Sequence, residues 1–91
     1  MCGIGGILHA NPAHGVRREQ LDAIVAALRH RGPDSQGVHL DGACGLAHTR
    51  LSILDLSARG RQPMASPSGR FVLSYNGEIY NFRELREELR R

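Results

Sequence analysis

The sequence predicts an α+β chain, the opening part of a larger domain of that class. Short apolar or β-rich runs at residues 2–8, 35–41, 43–54 and 71–75 alternate with two stretches of helical periodicity. Leu, Ile, Val and Phe make up 22 of 91 residues, about 24%, above the roughly 20% floor that flags disorder. The material for a core is present but thin. There is no Trp, and the four aromatics (Phe71, Tyr75, Tyr80, Phe82) all fall within residues 71–82. Three or four strands and two one-sided helices leave apolar faces in need of partners, which is why the chain reads as part of something larger.

Residues 2–8 (CGIGGIL) are apolar with three glycines, the pattern of a buried strand that another element approaches closely. Asn11-Pro12 and Gly15 mark a loop. Leu21, Ile24, Val25 and Leu28 then fall at i, i+3, i+4 and i+7, giving a helix with one apolar face. Arg31-Gly32-Pro33 ends it, since Gly can cap and Pro cannot continue. Two strands over 35–41 and 43–54 are expected around a turn at Asp41-Gly42. In the second, Cys44, Leu46, His48 and Arg50 alternate with Gly45, Ala47, Thr49 and Leu51, and both sides are mixed in polarity. Ser57–Gly69 reads as a long loop, and Phe71–Tyr75 as a strand. Asn81, with Glu84 three residues on, predicts a variant capping box for a last helix whose apolar side is Phe82, Leu85 and Leu89.

The net charge is +3, and all twelve basic residues are Arg. The absence of Lys excludes a lysine Schiff base and a Walker-type phosphate loop. The arginines are scattered. Those of the tail (Arg83, Arg86, Arg90, Arg91) are interleaved with Glu84, Glu87 and Glu88, and no aromatic–basic alternation accompanies them. Nucleic acid is therefore not an expected partner. No apolar run approaches the roughly 18 residues of a membrane span, and no secretory leader is visible, so a soluble, cytoplasmic protein without membrane contact is expected. Two cysteines do not make a disulfide framework, and neither they nor the five histidines have metal-ligand spacing. Cys44, among small apolar neighbours, reads as an inert packed thiol.

Five places are weighed for chemistry. Asn76-Gly77 is a strong hairpin signal, yet an Asn amide beside a Gly N–H also makes a two-donor oxyanion hole. Arg50, at the end of a strand, is either an ordinary structural charge or a fork for a carboxylate. Glu78 is either surface or an acceptor for an ammonium, and His30–Asp34 is most simply a helix stop and turn. Cys2 carries the sharpest chemistry. Removal of Met1 before this small residue would leave a thiol and a free α-amine together. That amine ordinarily titrates at about 7.7–8.0, suited to act as a base near neutrality. Nucleophile and base would then belong to one residue.

Taken in order, MCGIGGI, LRHRGPDSQG, LAHTRLSILDLS, RQPM and LSYNGEIYNFRELR resemble the glutaminase domain of class II glutamine amidotransferases. Within that group they are most similar to the glutamine-hydrolysing asparagine synthetases. The resemblance covers residues 1–91 and implies the opening part of a four-layer αββα N-terminal-nucleophile hydrolase fold. The rest of that domain and the whole synthetase domain would be absent. It implies Cys2 as the nucleophile, Asn76 and Gly77 as the oxyanion hole, Arg50 on the α-carboxylate of L-glutamine and Glu78 at its α-amino end. Leu51 and Ile53 would line the pocket. No cofactor is implied for this segment, whereas ATP and Mg are implied for the synthetase domain that would use the ammonia to amidate aspartate. Two alternatives remain: the glutaminase domain of another class II amidotransferase, and a non-catalytic truncated fragment. Residues 1–91 alone are expected to be inactive.

Overall fold

The computed structural model describes residues 2–52 and 57–91. In chain order it has strand β1 (Gly3–Leu8), helix α1 (Arg18–Leu28) with a 3-10 turn at Arg29–Arg31, strands β2 (Ser35–Asp41) and β3 (Cys44–Arg50), a second 3-10 turn at Ala58–Gly60, strands β4 (Met64–Ala65) and β5 (Val72–Leu73), and helix α2 (Phe82–Arg90). This is a mixed α and β architecture with antiparallel sheets. β3 is the centre of a three-stranded sheet, with Thr49 facing Gly3 of β1 on one side and Gln36 of β2 on the other.

The register resolves the ambiguous polarity of β3. Gly45, Ala47 and Thr49 share a face with Gly3 and Gly5, and α1 lies on it. A Cβ at Gly5 would sit 2.5 Å from Ile24 Cγ2, and one at Gly45 would sit 3.0 Å from Leu21. The glycines of β1 thus let the helix come down onto the sheet, as the sequence suggested. Leu21 and Ala47 are fully buried and Val25 nearly so. A fully buried leucine of this kind contributes about 1.5–3 kcal/mol. Thr49 Oγ1 donates to the Leu28 carbonyl at 3.0 Å, satisfying one of the acceptors at the helix end.

Gly32 follows the 3-10 turn in an extended conformation, so it is not a left-handed cap. Its smallness matters for another reason: a Cβ there would collide with the backbone of Thr49 and Arg50. The β2–β3 turn has Gly42 and Ala43 at its centre, one residue later than expected, closed by the Asp41–Cys44 pair. Gly42 has φ 55°, which suits the glycine that II′ turns place first. β3 ends at Arg50, so the strand expected to reach residue 54 is shorter, and residues 53–56 lie outside the described set.

The second half departs further. Ser57–Gly69 is not continuous loop, since it holds a 3-10 turn and β4. The strand expected over Phe71–Tyr75 shrinks to Val72–Leu73, paired with Met64–Ala65. Beyond it the backbone leaves the ladder because other partners take it: Gln62 accepts from the Tyr75 N–H, and Ser74 Oγ donates to the Ala47 carbonyl at 3.2 Å. Asn76-Gly77 does not turn a hairpin. No strand follows it, and Gly42 and Gly69 are the glycines with positive φ among the described residues. Asn81 does precede α2, but its side chain makes no capping bond. Its ψ of 34° lies outside the extended region from which a cap side chain reaches the first turn. All of α2 is exposed, Phe82, Leu85 and Leu89 included.

Candidate active site

Continuing the β1–β3 register by one step places Cys2 across from Arg50, on the sheet face opposite α1. Cys2 is half-buried. Its Sγ accepts the Leu51 N–H at 3.3 Å, and the thiol lies 3.7 Å from the Leu51 carbonyl. Arg31 Nε donates to the Cys2 carbonyl at 3.4 Å. The thiol is therefore held at the point where β3 ends.

The same point is braced from the His30–Asp34 segment, which does more than stop a helix. The Asp34 N–H donates to the Arg50 carbonyl at 2.9 Å, and Asp34 Oδ2 accepts the Ser52 N–H at 2.7 Å. Those two bonds flank Leu51. Arg50 is 8% exposed, with Nη1 donating to the Ser57 carbonyl at 2.7 Å and Gly60 packed against the guanidinium. Cys2, Arg50 and Leu51 are thus brought together at one end of the sheet. Ile53 lies outside the described residues.

Asn76, Gly77 and Glu78 follow a segment that reaches the same face at Tyr75. Their chain is tied down at Tyr75, whose carbonyl lies 3.1 Å from His48 Nε2. A carbonyl only accepts, so Nε2 carries the proton and the imidazole donates. His48 is two residues before Arg50 and on the same side of β3. Asn76 is half-buried and Gly77 exposed, with the Tyr75 ring folded so close that a Cβ on Gly77 would be 2.5 Å from its hydroxyl. Glu78 is exposed, and its carboxylate has no ion-pair partner among the described residues. The Tyr75 hydroxyl lies 3.5 Å from the Glu78 carbonyl.

His48 is the residue that sequence reasoning passed over. It is fully buried, and burial holds its pKa below the ordinary histidine value. The Tyr75 carbonyl opposes that shift, and the nearby Arg50 charge adds to it. The neutral tautomer leaves Nδ1 buried without a hydrogen-bond partner among the described residues. The available signal was parity: in His48-Thr49-Arg50 the histidine must share a strand face with the arginine. Cys44 is half-buried and makes no disulfide among the described residues. Among the described residues no three His, Cys, Asp or Glu side chains gather to hold a metal ion, and no helix is long and apolar enough to cross a membrane.

The family described as the glutamine amidotransferase domain matches residues 1–91. The chain belongs to that family. A glutamine-hydrolyzing asparagine synthetase 1 of Lotus japonicus is 42% identical over 89 residues, covering 98% of this chain and 15% of the relative. The glutamine-hydrolyzing asparagine synthetase of Triphysaria versicolor is 43% identical over 86 residues, 94% of this chain and 14% of the relative. A glutamine-hydrolyzing asparagine synthetase 2 of Bacillus subtilis is 41% identical over 91 residues, 98% and 12% respectively. The chain thus spans about 15% of the length of the curated relatives it matches. No solved structure matches it significantly. The resemblance drawn from the sequence motifs and this family membership coincide.

Proposed function

We propose that residues 1–91 are the N-terminal part of a glutaminase domain of the four-layer αββα type, and that Cys2 hydrolyses the side-chain amide of L-glutamine. The single observation carrying this reading is the β1–β3 register, which, continued one step beyond the Gly3–Thr49 pair, sets Cys2 across from Arg50 on one face. With Met1 removed, the Cys2 α-amine takes the thiol proton as Sγ attacks the amide carbon. The negative charge that develops on the amide oxygen is met by the Asn76 side-chain NH2 and the Gly77 N–H. When the C–N bond breaks, the amine returns the proton to the departing ammonia. A thioester remains on Cys2, and water, deprotonated by the same amine, converts it to glutamate.

Arg50 grips the substrate α-carboxylate, Glu78 accepts from its α-ammonium, and Leu51 and Ile53 line the pocket. In the longer protein the ammonia passes to a synthetase domain that amidates aspartate with ATP. The family resemblance assigns ATP and Mg to that synthetase domain. A cytoplasmic location accords with amino-acid synthesis.

Intact mass and glutamine turnover of the full-length protein test the reading. Cys2→Ala should abolish glutamate release, and a form proved to retain Met1 should be inactive, since its Cys2 nitrogen is an amide. Full turnover with Met1 in place would sink the same-residue base.

A further inference from the structure

We infer that His48 is a positioning residue for glutamine hydrolysis: by holding the Tyr75 carbonyl it fixes the peptide that leads into Asn76 and Gly77. This rests on the functional reading just given. The segment that carries both oxyanion donors has almost no backbone ladder, since pairing stops at Leu73. What fixes it instead is a short set of bonds to side chains. Ser74 Oγ donates to the Ala47 carbonyl, Gln62 accepts the Tyr75 N–H, and His48 Nε2 donates to the Tyr75 carbonyl.

The last of these matters most for direction. The Tyr75 carbonyl and the Asn76 N–H lie in one rigid peptide plane. Holding the oxygen therefore sets the rotation of the plane from which the Asn76 side chain departs. The donor is rigid as well, because His48 is fully buried on the central strand of the sheet. Its ring is also a poor choice for packing alone. Nδ1 is buried without a partner among the described residues, a penalty that an aliphatic side chain of similar size would not incur. The histidine supplies a buried donor where a hydrocarbon could supply none. Sites of this kind need their donors placed within about half an ångström, and at Tyr75 the His48 bond is the one that holds the carbonyl side of the peptide.

A pair of variants of the full-length protein separates positioning from packing. His48→Gln can place an amide NH2 near the Nε2 position, while His48→Asn places it near Nδ1 and falls short of Tyr75. The two share chemistry and differ in reach. Positioning predicts that Gln stays within about threefold of wild-type kcat while Asn loses at least about tenfold, with KM for glutamine nearly unmoved in both. Equal retention, equal loss, a change confined to KM, or failure of both to fold would overturn the inference and leave His48 a core residue. Cys2→Ala run alongside keeps the two questions apart. Should it leave glutamine hydrolysis intact, the functional reading itself falls; if it abolishes hydrolysis, the Gln and Asn variants decide the inference.

Discussion

The two halves of this chain solve the same folding problem in opposite ways. Residues 2–52 bury an apolar helix face against a sheet stripped to glycine, alanine and threonine where the helix lands. Residues 57–91 hold all the aromatics, yet Phe71 and Tyr80 are 66% and 94% exposed and no residue of α2 is buried. The first half is held by packing, the second by bonds from side chains to backbone at Gln62, Ser74 and His48. The candidate residues are drawn from both, with Cys2 and Arg50 in the packed half and Asn76–Glu78 in the tethered one. Stability and catalysis should therefore respond to different residues.

The largest stability effect belongs to the packed half. Leu21→Ala, at a fully buried position, should cost about 2–5 kcal/mol in urea unfolding. A loss below about 1 kcal/mol would mean that α1 is not seated as described. The matching catalytic effect belongs to the tethered half. Asn76→Asp should fold, bind glutamine almost as before and lose about 10²–10³ in kcat, or roughly 3–4 kcal/mol of barrier. A rate within a few-fold of wild type would return Asn76 to an ordinary loop residue.

A smaller effect joins the halves. Because His48 titrates below the usual 6.5 when folded, the unfolded chain takes up its proton first as pH falls. The contribution of His48 to stability is complete above about 6.5 and declines from there down toward its lowered folded pKa. Urea midpoints at pH 7.5, 6.5 and 5.5 should show the decline, and His48→Gln should flatten it. The smallest effect is expected at Leu89, 86% exposed on α2. Leu89→Ala should change stability by no more than about 0.5 kcal/mol, and a larger loss would show that another surface covers this helix.

The same contrast explains what could be read before the structure. α1 was legible because four apolar residues at helical spacing leave one seating, and β1 because its glycines announced a close neighbour. The facing of β3 was not, since Leu46 and Arg50 on one side and Ala47 and Thr49 on the other give no clear polarity. Size decided it, with the small residues beneath the helix. In the tethered half, local signals were outbid. Asn-Gly after a β-rich run reads as a hairpin, but Gln62 and His48 take the backbone groups that a returning strand would need. The Asn81 box fails through one ψ angle. Of the candidate site, the motifs proposed Cys2, Arg50, Leu51, Ile53 and Asn76–Glu78. They were silent on Arg31, Asp34 and His48, whose contacts are made across the fold rather than along the chain.

The glycines beneath α1 also act as a lock on strand alignment. Sliding β1 by one residue would bring Ile4 under Ile24 and Leu28 in place of Gly3 or Gly5, where even a single Cβ has no room. The same slip would turn Cys2 to the helix side and away from Arg50, because alternate residues of a strand face opposite ways. Steric exclusion at two positions without side chains thus selects the side on which the thiol emerges. A one-residue insertion between Cys2 and Gly3 would leave that alignment intact and still send the Cys2 thiol to the opposite face.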